Sequence, residues 1–181
     1  GELKTISKAD LFIEVGHLPF EKAWKERILA ANANLIVVNS SEGIETVDHD
    51  PHIWLSPKLA KVQIETICQA IIRADENNKD YYLSNLEKAL EKLNNIDQEI
   101  ASIFADHKGK TFLVYHPAWG YFAKDYGLIE MAIEDHGKEP SPAEMAQIIN
   151  TAKKLGITTI FTSPQHSTRS AETIAHELNA K

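Results

Sequence analysis

The chain has 181 residues, of which 43% are hydrophobic and 25% charged, and this is ordinary globular composition. Its net charge of -7 and pI near 5.6 argue against a nucleic-acid partner, since such proteins carry a basic face. Its single cysteine, Cys68, excludes an intrachain disulfide and a thiolate metal cluster, so any metal site must draw on His, Asp and Glu. Cys68 lies in an apolar helical stretch and reads as a small buried residue. No run approaches the ~20 apolar residues that span a bilayer. The opening GELKTISKADLFIEV reads as the inside of a fold and not as an export signal.

Residues 10–15 (DLFIEV) form a short apolar run ending at Gly16, which predicts a buried strand. Pro19 opens a helical pattern to about Ala31, and residues 35–38 (LIVV) predict a second strand. Residues 40–57 are polar and irregular and contain His49, His52 and Trp54. Ser56 and Pro57 then supply an N-cap and a first-turn proline for a helix with Leu59, Val62, Ile64, Ile67, Ile71 and Ile72 along one stripe. A long helix is predicted over 80–104. Its Leu83, Leu86, Leu90, Leu93, Ile96, Ile100 and Ile103 share one face by spacings of three and four, and that face is expected to pack inside the fold.

Beyond Lys108-Gly109-Lys110 the pattern becomes strand at 111–115 (TFLVY), helix at 118–126 and strand at 128–133. A capping box, SPAE at 141–144, opens a helix to about Leu155; a strand at 158–162 and a helix at 168–178 follow. Strand–helix alternation on both sides of a long helix predicts two α/β lobes: an N-terminal lobe over 1–79, a linking backbone helix over 80–107 and a C-terminal lobe over 108–181.

Two of the eight histidines sit where a metal would need them. His52 lies in HDPHIWLSP, a loop just before a capped helix, and His116 in FLVYHPAWGYF, at the carboxyl end of a predicted strand. Ligands of open α/β sheets gather at such ends. The two come from different lobes, so a cleft between lobes could unite them. Pro51 and Pro117 stiffen both loops, and each imidazole would need an acceptor for its second nitrogen. A surface or packing role is the ordinary alternative for either. His49 forms a weaker H-x-x-H pair with His52. Trp54, Trp119 and Tyr121 read as cleft or core packing. The chain has no G-x-G-x-x-G, P-loop, G-x-S-x-G or H-E-x-x-H motif.

DHDPHIWLSPKLA and YHPAWGYFAKDYGL resemble the second and third ligand motifs of the metal-specific solute-binding proteins that serve zinc and manganese ABC importers. ADLFIEVGHLPFEKAW, GKEPSPAEM and IFTSPQHSTRSAETIA match the same family in order, so the resemblance covers nearly the whole chain. It implies a two-lobe receptor with a rigid helix between the lobes and the metal in the cleft, with His52 and His116 as ligands. It also implies Zn2+ as cargo (Mn2+ being the alternative), a membrane permease as partner, a monomer, and a place in the periplasm or on a lipid anchor at the outer face of the cytoplasmic membrane. Zinc affinity would then fall as pH drops through the histidine range near ~6.5.

The family's first ligand histidine lies upstream of the segment where this chain begins, and its carboxylate ligand lies downstream of where it ends. Both lobes are therefore expected to be incomplete here. Ser163 stands where the family often has an acidic residue, and His166 where it often has an aromatic; His166 could face the cleft. Two other readings remain open. One is a hydrolase with a metal-activated water and Glu134, Asp135 or Glu139 as general base. The other is an adhesin on the same fold.

Overall fold

The computed structural model describes residues 2–47, 50–135, 137–163 and 169–180. The chain divides into two compact units, Gly1–Glu99 and Ile100–Lys181.

The first unit opens with a short helix α1 (Glu2–Ile6), followed by β1 (Leu11–Glu14), α2 (Pro19–Ala31) and β2 (Ile36–Asn39). β1 and β2 pair in parallel, Leu11 opposite Ile36 and Glu14 opposite Asn39. A parallel pair needs a crossover, and α2 supplies it. Pro19 starts α2 at the position where a missing N–H costs nothing. The turn between β1 and α2 is held by the buried carboxylate of Glu21, which accepts from the N–H groups of Val15 (2.7 Å), Gly16 (2.8 Å) and Leu18 (3.3 Å). Gly16 has φ +87°, and a Cβ there would fall 2.4 Å from Oδ1 of Asn39. Only glycine lets the chain turn so close to β2.

Helix α3 (Pro57–Ala74) packs against the two strands and buries Cys68, Ala70 and Ile72. The Cys68 thiol is buried as expected, and that burial pushes its pKa up. Helix α4 (Lys79–Ile103) follows, and the boundary between the units falls within it. Its apolar stripe differs from expectation. Leu86, Leu90, Leu93 and Ile100 are only half-buried, while Leu83, Ile96 and Ile103 are exposed. Between α3 and α4, Lys61 Nζ reaches Asn94 Oδ1 at 2.8 Å and Asp97 Oδ2 at 3.5 Å, and the Cys68 thiol reaches Tyr82 O at 3.7 Å.

In the second unit β3 (Thr111–Val114) is central, flanked in parallel by β4 (Ile129–Ala132) and β5 (Ile160–Phe161), in the order β4-β3-β5. Helix α5 (Gly120–Tyr126) links β3 to β4. Helix α6 (Pro142–Leu155) precedes β5, and α7 (Arg169–Leu178) follows it. Alternate residues of β3 face opposite sides of the sheet. Leu113 and Tyr115 enter the core with Ile133, Ala152, Ile157, Ala171 and Ile174. On the other side Phe112 and Val114, with Phe104, Trp119, Phe122 and Phe161, line a cavity of about 340 Å³.

Candidate metal centre

The two predicted ligands belong to different units, and each is described within its own. His52 follows β2 by way of a loop anchored at both ends. At its start, Ser40 continues the parallel ladder through its N–H to Glu14 O (2.8 Å), and its hydroxyl accepts from Gln63 Nε2 of α3 (3.1 Å). Ser41 donates its N–H (2.9 Å) and its hydroxyl (2.8 Å) to Asn39 Oδ1, and its hydroxyl pairs with His17 Nε2 at 2.9 Å. At the loop's end, Ile53–Leu55 form one 3-10 turn, and the wholly buried Ser56 caps α3, its Oγ accepting from the Leu59 N–H at 3.1 Å.

Asp50 fixes His52 twice. One carboxylate oxygen lies 2.6 Å from Nδ1 of the ring and accepts the His52 backbone N–H at 2.9 Å. The ring meets Trp54 edge-on, centroids 5.3 Å apart. The side chain is about one-fifth exposed, at 18%.

His116 stands two residues past the last residue of β3, at the carboxyl end of the sheet. Tyr115 and Glu134 extend the strands: Tyr115 N–H donates to Phe161 O (2.8 Å), and Glu134 N–H to Tyr115 O (3.0 Å). That register sets the buried Glu134 carboxylate against Nδ1 of His116 in a short hydrogen bond. The His116 side chain keeps 28% of its surface exposed.

The two histidines are therefore dressed alike. A carboxylate oxygen can only accept, so in the neutral ring Nδ1 carries the proton and Nε2 the lone pair. A carboxylate behind Nδ1 orients the ring and raises the basicity of the coordinating nitrogen, which is the arrangement behind zinc-ligating histidines. Asp50 and Glu134 were not assigned this role from the sequence. Asp50 was visible as the D-x-H spacing, whereas Glu134 is 18 positions from His116 and meets it only through the sheet.

The other sequence candidates divide. His49 and His166 lie outside the described residues. Trp54 and Trp119 remain partly exposed, and Tyr121 is buried. The hydroxyls of Tyr115 (2.7 Å) and Ser170 both donate to Glu139. The Ser170 bond first, then that from Tyr115, holds the Glu139 carboxyl below its ordinary range, while burial and then Glu139 push Tyr115 up to about 12. Asp135 forms a backbone bridge with Lys138. Two of the three candidate bases, Glu134 and Glu139, thus serve as acceptors for neighbouring side chains. Among the described residues, no three or more His, Cys, Asp or Glu side chains form a group that could hold a metal ion.

The family model described as the periplasmic zinc-uptake complex component A, ZnuA, matches residues 1–181. The high-affinity zinc uptake system protein ZnuA of Bacillus subtilis (strain 168) is 30% identical over 204 residues. That match takes in 99% of this chain and 63% of the relative, so the chain spans less than two thirds of the relative's length. Among solved structures, a crystal structure of ZnuA superposes with a TM-score of 0.93 at 41% identity, covering 99% of this chain and 72% of that one. The laminin-binding protein Lbp of Streptococcus pyogenes superposes at 0.86 with 28% identity, covering 99% and 71%. The match runs over the whole chain, and the chain belongs to the ZnuA family of zinc-uptake components.

Proposed function

We propose that this protein captures zinc outside the cytoplasm and hands it to the membrane permease of an ABC importer. His52 and His116 coordinate the ion through Nε2. The observation that carries this reading is the matched pair of carboxylate-backed imidazoles, Asp50–His52 and Glu134–His116. Neutral imidazole at ~2.0–2.1 Å is a good zinc ligand, and a carboxylate behind it favours the coordinating tautomer. The role is capture and not turnover, because Glu134 is engaged in orienting a ligand. Manganese is the lesser cargo, since imidazole suits zinc better than it suits a cation that prefers oxygen donors.

The family points to the periplasm, and among the described residues no helix is long and apolar enough to cross a membrane. The likeness to the metal-dependent lipoprotein YcdH of Bacillus subtilis supports a lipid anchor as the alternative to a diffusing periplasmic form. The likeness to Lbp favours one second reading, an adhesin that binds a host matrix protein on the same fold.

Calorimetric titration with zinc chloride and manganese chloride tests the reading. Zinc is expected to bind more tightly than manganese. His52→Ala and His116→Ala should each weaken zinc binding by more than the ~10–100-fold typical of losing an orienting partner. Unchanged zinc affinity in both variants would overturn the ligand assignment. Laminin binding that persists in chelator would move the adhesin reading forward.

A further inference from the structure

Helix α5 begins where its own sequence offers no cap. Its N-cap residue is Trp119, which makes no capping hydrogen bond, and neither Ala118 nor Pro117 carries an accepting side chain. The acceptor comes instead from the neighbouring strand. Oε1 of Glu130 takes the N–H of Ala118 at 3.0 Å and that of Trp119 at 2.9 Å. The parallel register sets Glu130 opposite Phe112, so a β4 side chain is in reach of the turn that leaves β3. A carboxylate at this position also meets the positive end of the helix dipole. Bonds to a charged acceptor are roughly twice as strong as neutral ones.

These N–H groups lie two and three residues after His116, and the intervening Pro117 has none to give. On its near side the turn is tied by the Tyr115 N–H to Phe161 O at 2.8 Å. On its far side the tie is Glu130. We infer that Glu130 is a positioning residue for metal capture: by holding the Ala118 and Trp119 amides, it fixes the backbone from which His116 presents Nε2. The inference rests on the proposed role of His116 as ligand. The job differs from that of Glu134, which acts on the ring itself.

Three variants test it: Glu130→Ala removes the acceptor, Glu130→Asp keeps the charge but shortens the reach by one methylene, and Glu130→Gln keeps a carbonyl oxygen where Oε1 stood. The readouts are zinc affinity by chelator competition, hydrogen exchange at the Ala118 and Trp119 amides, and the imidazole nitrogen resonances of His116. Alanine and aspartate should speed exchange at both amides, shift the His116 signals and lower zinc affinity about 10-fold, the low end for an outer-shell partner. Glutamine should recover most of the affinity. If Glu130→Ala does not fold, the folded aspartate variant decides. Faster amide exchange with undiminished zinc affinity would overturn the positioning role, and so would unchanged exchange. His116→Ala serves as the control. If that variant binds zinc normally, the ligand assignment has failed, while amide exchange and the His116 resonances still report on the Glu130 clamp.

Discussion

The bond between a carboxylate and Nδ1 of each candidate ligand decides which nitrogen of the ring carries a lone pair. Glu134→Gln and Asp50→Asn keep the shape of these partners and remove their charge. Each should weaken zinc binding by about 10–100-fold without abolishing the fold, as checked by chelator competition alongside thermal melts. Equal affinity in both variants would mean that the carboxylates do not tune the ligands. His52 and His116 stand out in the sequence by placement, one before a capped helix and one at the carboxyl end of a strand, and their role as ligands is a proposal. Asp50 was within reach of the same reading, being two residues from the ring it holds. Glu134 and Glu130 were not, because each reaches its partner across a strand register that no local pattern encodes.

Helix starts were the most legible elements. The predicted helix from Pro19 to Ala31 matches α2 at both ends, and the Ser-Pro pairs at 56–57 and 141–142 open α3 and α6. A cap is a local contract between residues three apart, and so it survives in the sequence. At α6 the box is reciprocal: Ser141 Oγ accepts the Glu144 N–H at 3.3 Å, and Glu144 Oε2 accepts the Ser141 N–H at 2.8 Å. These bonds, the side-chain one first, hold the Glu144 carboxyl below its ordinary range. A depressed carboxyl contributes stability above its unfolded value, and that contribution is lost as pH falls through the folded value.

As the loss of an N-cap, Ser141→Ala should cost about 1 kcal/mol, and by freeing the Glu144 carboxyl it should also shallow the acid-side fall of Tm. Melts of both proteins from pH 7 down through the carboxylate range would check it, and parallel curves would count against the coupling. Elements without a local signal were misjudged. The five-residue α1 was not foreseen, β5 holds two residues where five were expected, and α5 starts at Gly120 and not at 118.

At the scale of the whole molecule, alternating strands and helices were enough to foresee two α/β regions, since parallel strands require crossovers. The order β4-β3-β5 and the placing of the core on one face of that sheet were not written in any periodicity. The core lies where α6 and α7 contribute Ala152, Ala171 and Ile174. The stripe of α4 shows the limit of periodicity most clearly: the spacing gave the helical face correctly, but not how deeply that face is buried.

Every ladder among the described strands is parallel. This has a consequence in time. No pairing can start from a tight hairpin, so each must wait for an intervening helix to bring distant residues together, and such loop closure slows folding. Helices such as α3 and α4 need only neighbours along the chain and form within about a microsecond. On dilution from urea, the far-ultraviolet helical signal should return ahead of tryptophan fluorescence, with an interval in which helices exist before either sheet does. Superimposable traces from the two probes would instead mean that helix and sheet form in one step.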